Sequence, residues 1–194
     1  MKLKLFSLLS SIAFILSGCG GNAGLKNVYN VTKCNYEYQS TTDLTLSGMN
    51  LSNGVSPLQT TKILALIAKP SSSIPLNLTI NLDVSNPNST VANLLGMSYI
   101  FSIDGVQFTT GSAKQGFNIQ PGASQLYPLT IGIDLATLLK GESKTAVENI
   151  IKNFIGVGSE KSTVKLQIKP TFNIGNLPVS SPVYIPISFS FGGK

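Results

Sequence analysis

From Leu76 to Val84 the chain reads LNLTINLDV, five apolar residues at every second position with Asn77, Thr79, Asn81 and Asp83 between them. Side chains alternate between the two faces of a β-strand, so this period predicts a strand with one buried face and one wet face. Burying all five apolar side chains contributes on the order of 10 kcal/mol before chain entropy is subtracted. A slip of one residue would expose all five, so the register is strongly specified.

The pattern recurs along the chain. Met97, Tyr99, Phe101 and Ile103 alternate, Asp104-Gly105 supplies a type I′ turn pair, and Val106, Phe108 and Thr110 return, which predicts a hairpin. Tyr127, Leu129, Ile131 and Ile133 predict a further strand, as do Val164, Leu166 and Ile168. Val183, Ile185, Ile187, Phe189 and Phe191 predict a closing strand whose Pro186 places it at an edge or a bulge. Val28 to Tyr38 and Leu44 to Leu51 are weaker strands, the second slipping phase at Ser47-Gly48 as a bulge does. About eight strands spaced by turn signals predict a mainly β fold built as a two-sheet sandwich.

Helix is expected in few places. Val147, Ile150, Ile151, Phe154 and Ile155 form an apolar stripe at helical spacing, with Thr145 to Glu148 as a capping box and Gly156 as the stop. Asp134 caps a short turn of helix through Lys140, and Leu58 to Ala68, ending before Pro70, predicts another short helix. The segment of about 134–156 therefore reads as a short helical insertion against the sandwich.

The first residues have a different logic. Met1-Lys2-Leu3-Lys4 is cationic, Leu5 to Ile15 is apolar but too short to span a bilayer, and Leu16-Ser17-Gly18-Cys19 follows directly. This order resembles the bacterial lipoprotein signal. The resemblance implies a signal peptide over residues 1–18, cleavage before Cys19, a diacylglycerol on its sulfur and a further acyl chain, commonly palmitate, on the new amino group. Two or three acyl chains, at about 0.8 kcal/mol per buried methylene, anchor a protein permanently where one does not. Residues 19–27 then carry the lipidated cysteine and a Gly-rich flexible tether, and 28–194 form the folded domain. By resemblance to known lipoprotein sorting rules, Gly20 in place of Asp and a tether without an acidic cluster imply the periplasmic face of the outer membrane.

Chemistry-bearing residues are scarce. All fourteen basic residues are lysines, scattered singly among eight acids, and the chain has no His, Arg or Trp. That distribution argues against a nucleic-acid partner. With Cys19 acylated there is no second thiol for a disulfide, and Cys34 reads as a small buried hydrophobe. Asp83, Asp104, Asp134 and Glu148 have structural readings, which leaves little from which to build a carboxylate pair. Ser162-Thr-Val-Lys165 lacks the companion motifs of a serine–lysine enzyme, and Gly156-Val-Gly158 follows a helix instead of a strand, so it is not a phosphate cradle. No metal site or cofactor is expected. A sugar platform would have to use tyrosines, of which Tyr29, Tyr36, Tyr38 and Tyr99 read as packing residues. A groove for a lipid or other apolar ligand would be lined by Ile and Leu and would look like core.

Asn86-Pro87-Asn88 ends the best strand and reads locally as a tight turn. The whole run LNLTINLDVSNPNSTVANLLGMSYIFSIDGVQFTTG, residues 76–111, resembles the late embryogenesis abundant type 2 family, also called the water stress and hypersensitive response domain. That family shows an alternating strand, Asn-Pro-Asn, a Tyr-containing strand and a Gly after the hairpin. Leu177-Pro-Val and Val183 to Phe189 are similar to its closing strand, so the likeness extends loosely over 28–191. It implies an immunoglobulin- or fibronectin III-like sandwich with a binding or stress-protective role and no catalytic site. The expectation is therefore a non-catalytic, lipid-anchored envelope protein, with a carrier for an apolar ligand as the alternative and a carboxylate enzyme behind both. Its partners would be the membrane, through Cys19, and a protein or apolar small molecule.

Overall fold

The computed structural model describes residues 33–174 and 177–193. The signal segment, Cys19, the tether and the opening residues of the strand expected from Val28 lie outside the described residues. The chain runs β1 (Asn35–Leu46), β2 (Met49–Asn50), α1 (Pro57–Ala68), β3 (Pro75–Ser85), β4 (Ala92–Leu94), β5 (Gly96–Ile103) and β6 (Val106–Ala113). It continues through β7 (Phe117–Ile119), β8 (Ser124–Asp134), α2 (Leu135–Leu138), α3 (Lys144–Phe154), β9 (Lys161–Ile174), β10 (Leu177–Ser180) and β11 (Ile185–Gly192). One antiparallel sheet has the order β2-β1-β3-β8. The other has β6-β5-β9, with β10 and β11 sharing the far side of β9. The two pack face to face as a β-sandwich over one apolar core.

β3 is the strand with the strict alternation. Ile80, Leu82 and Val84 are fully buried, and Leu78 nearly so. Its opposite face is drier than the alternation predicts, because β1 and β8 cover both sides: Thr79 and Asn81 are buried too. Asn81 Nδ2 donates to Ser40 Oγ at 3.1 Å and Thr42 Oγ1 at 3.2 Å, and the Thr79 and Thr130 hydroxyls meet at 3.3 Å. Short polar side chains satisfy one another there, which lets them leave water at little cost.

The predicted hairpin is β5–β6, with Met97, Tyr99, Phe101 and Ile103 all buried. Asp104 and Gly105 have φ of 48° and 80°, the left-handed pair that a type I′ turn requires. Asp104 also accepts from the Thr163 N–H at 2.7 Å, tying this turn to the start of β9.

Two sequence expectations are corrected. Ser47-Gly48 is a turn and not a bulge: both residues have positive φ, and Leu46 pairs with Met49 across them. The bulges lie earlier in β1, where its register on β3 shifts between Tyr38 and Ser40 and again between Thr42 and Thr45. Each adds one residue, so the inward phase passes from Tyr36 and Tyr38 to Thr41 and back to Leu46. The capping box at Thr145–Glu148 is absent because α3 begins at Lys144, which puts Thr145 inside the helix. Its N-cap, Ser143, makes no side-chain cap bond, and Glu148 instead reaches Lys144 at 3.7 Å, one helical turn back.

The sandwich has two unlike ends. At one, the chain leaves β3 for the second sheet and later returns to β8, and these two crossings pair as the short ladder β4–β7. Asn86 stands where the first crossing begins. It is 1% exposed, and its Nδ2 donates to the Thr90 and Ile119 carbonyls, both at 2.9 Å. Its Oδ1 accepts from Asn88 N and Nδ2, at 3.1 and 2.8 Å. Asn86 is thus more than a turn residue, since its side chain binds the outgoing crossing to the returning one.

At the other end, α2 and α3 carry the chain from β8 in the first sheet to β9 in the second. Asp134 Oδ1 accepts from Ala136 N at 2.9 Å, the expected cap, and from Ile74 N at 2.8 Å. The Ile74 and Ala136 N–H groups, in that order of weight, hold the Asp134 carboxyl below the usual carboxylate range. The apolar stripe of α3 faces inward, with Val147, Ile150, Ile151 and Ile155 buried. Gly156, at φ 74°, ends the helix.

Candidate functional site: an apolar cleft between the sheets

At the helical end the two sheets part, and α3 does not fill the gap. A cleft of about 480 Å³ remains, within the range of roughly 300–1,000 Å³ usual for small-molecule sites. The first sheet contributes Tyr38, Thr41, Leu44 and Leu46 from β1 and Leu76 and Leu78 from β3. Phe101, Ile103, Phe108, Val164, Phe189 and Phe191 face them from the second sheet. Leu135 and the stripe from Ile150 to Ile155 close the floor, while Leu51, Val55, Gly54 and Gly156 lie along the rim. Among the described residues no ionisable side chain other than the Tyr38 phenol lines it; the polar side chains on its wall are those of Thr41 and Ser52, while the Ser190 hydroxyl turns away to Thr163 Oγ1 at 3.4 Å.

The wall between β1 and β11 is unusual. These strands belong to different sheets and are not paired with each other; β11 is an edge strand, and β1 meets β2 only at Thr45 and Leu46, so around Tyr38 its one described partner is β3. Tyr38 and Phe189 bridge them with rings stacked at 3.7 Å between centroids and 11° between planes. Such contacts contribute about 0.5–1.5 kcal/mol beyond burial. The Tyr38 hydroxyl lies 3.2 Å from Thr41 Oγ1, across the first bulge. Below them Phe191 meets Phe154 of α3 edge-on at 5.9 Å.

The other candidate residues fall outside this cleft. Ser162 is fully buried and accepts from Asn153 Nδ2 at 3.0 Å, whereas Lys165 lies on the exposed face of β9, so the serine–lysine spacing does not bring the two together. Gly158 packs against Asn153, where a Cβ would come 2.0 Å from its Oδ1, so the residue serves the helix stop. Glu37 and Asp83 do meet across β1–β3, a juxtaposition invisible in the sequence, but on the outer face of the sheet. Among the described residues no three His, Cys, Asp or Glu side chains gather as a metal site would need. Cys34 is buried, and burial pushes its thiol up to about 11, far from a reactive thiolate. Tyr36 and Tyr99 are core residues, while Tyr38 is half-buried in the cleft wall. No described helix is long and apolar enough to cross a membrane.

Sequence reasoning missed the cleft because its walls have core composition. The faint signals were the phase slips of β1 and an apolar stripe on α3 broader than one sheet face requires.

No family model matches this chain, and no curated protein matches it either. Among solved structures, a protein from Archaeoglobus fulgidus aligns over 81% of this chain and 98% of its own, with 16% identity and a TM-score of 0.43. A solution structure from Arabidopsis thaliana aligns over 60% of this chain and 70% of its own, with 13% identity and a TM-score of 0.42. Likeness at this level carries no argument about activity, and the class defined by the chain's own geometry is a β-sandwich with an apolar intersheet cleft.

Proposed function

We propose that this chain is a non-catalytic, lipid-anchored binding module of the bacterial envelope, and that its ligand is a lipid or another apolar molecule held in the intersheet cleft. The cleft carries the reading: it is large enough for a small molecule and, among the described residues, offers no charged group for proton transfer or for pairing with a buried ionic head. A ligand there places hydrocarbon inside and keeps any charge in water.

The late embryogenesis abundant type 2 reading belongs with this proposal. It is supported by the roles of Asn86, Tyr99 and Gly111. Asn86 joins the two crossings, and Tyr99 lies across from Gly111, where a Cβ would come 2.6 Å from the phenol ring carbon Cζ. The lipobox supports anchoring at Cys19 on the periplasmic face of the outer membrane.

Native mass spectrometry of the domain from Lys26 onward tests the ligand, the expected result being a co-purified apolar species displaced by a fluorescent fatty acid. Absence of both co-purified and displaceable ligand would overturn it. Cys19→Ala tests the anchor: it should abolish labelling by a fatty-acid analogue and leave the precursor uncleaved, and persistent labelling would refute it.

A further inference from the structure

Most of the cleft wall is held by structure that cannot part locally. β5, β9 and β11 form one continuous hydrogen-bonded ladder, and β3 is paired on both sides. α3 is fastened to β9 by Asn153 on Ser162 and to β11 by Phe154 on Phe191. The seam between β1 and β11 differs, because two stacked rings span it and, among the described residues, no backbone ladder does. Next to Tyr38 the strand is bulged, and at the second bulge Asp43 has φ of 52°. A bulged strand lacks the unbroken ladder that makes its neighbours rigid.

We propose that Tyr38 and Phe189 form a clasp through which a long acyl chain enters and leaves the cleft, setting its exchange rate and touching the chain once it is bound. This rests on the apolar-ligand reading. Both rings line the cleft, so they contact an occupant when closed. Opening requires ring separation and a local bend of β1, with no pairing between sheets to break. An acyl chain suits the seam because it threads sideways and leaves its head group in water.

The chain has no Trp, so single reporters can be introduced into the full lipidated protein in nanodiscs. Phe189→Trp reports on the clasp, Phe154→Trp on the cleft floor and Phe117→Trp, which packs against Tyr127, on the far end. Dibromostearate is the quencher. Expected is saturable quenching at positions 189 and 154 beyond that at 117, with Tyr38→Ala speeding quenching at 154 roughly tenfold. Tyr38→Phe, which keeps the ring, should stay near the parent rate, while Tyr38→Leu, which keeps apolar bulk, should behave like the alanine variant. Quenching at 154 with rates indifferent to all three substitutions overturns the clasp and leaves the ligand reading standing. No excess quenching at either 189 or 154 overturns both.

Discussion

Asn86 shows how much one side chain can decide in this fold. Every polar atom of its amide is used, and the carbonyls it satisfies belong to two separate crossings, at Thr90 on the outgoing one and at Ile119 on the returning one. Asn86→Ala leaves buried carbonyls without a donor, at about 1–3 kcal/mol by the usual cost of an unsatisfied buried group. Urea denaturation should show a loss of about 2–3 kcal/mol on that basis, with Asn88→Ala costing less because its side chain is half-exposed. Equal effects of the two substitutions would mean that the turn matters and the bridge does not.

At the scale of elements, packing repeatedly overrides local pattern. Pro170 sits in the central strand β9, where a missing N–H is normally excluded. It is tolerated because β9 changes partner there: β11 pairs up to Ile168 and β10 takes over from Thr171. Helix α1 is capped by a reciprocal pair, with Gln59 N donating to Ser56 Oγ at 3.3 Å and Ser56 N to Gln59 Oε1 at 2.9 Å. Gln59 Nε2 also donates to the Asn50 carbonyl at 2.9 Å, so the cap holds the loop that forms the cleft rim. Ser56→Ala should cost about 1 kcal/mol of stability. Hydrogen exchange should rise first over residues 51–60, and a uniform rise across the domain would show that the cap does not act on the rim.

For the whole molecule, the core sets an alkaline limit. Cys34 is raised from 9.0 to about 11 and Tyr127 from 10.0 to about 12, both by loss of hydration, and Tyr36 is raised for the same reason, then by the neighbouring Cys34 and Tyr127. Above its ordinary pKa such a group releases its proton in the unfolded chain while the native state still holds it. Stability is therefore complete below about pH 9 and falls as pH rises toward 11 and 12. Urea midpoints measured from pH 8 to 11 should decline, and Cys34→Ala should flatten the first part of that decline. A parent curve that stays level across this interval would contradict the buried placement of these groups.

Much of this architecture was legible without coordinates. The strands with strict alternation, the Asp104-Gly105 turn, the α3 stripe and its Gly156 stop all follow from local rules, because side-chain period and backbone handedness act within a few residues. Three features emerged only from the tertiary structure. The buried polar face of β3 depends on strands distant in sequence, and the bridging role of Asn86 depends on a return crossing that the turn itself does not specify. The cleft was the least legible, since a residue lining a space and a residue filling one have the same composition. Whether two apolar faces touch or stand apart is decided by how far the sheets splay, which the local pattern of neither strand specifies.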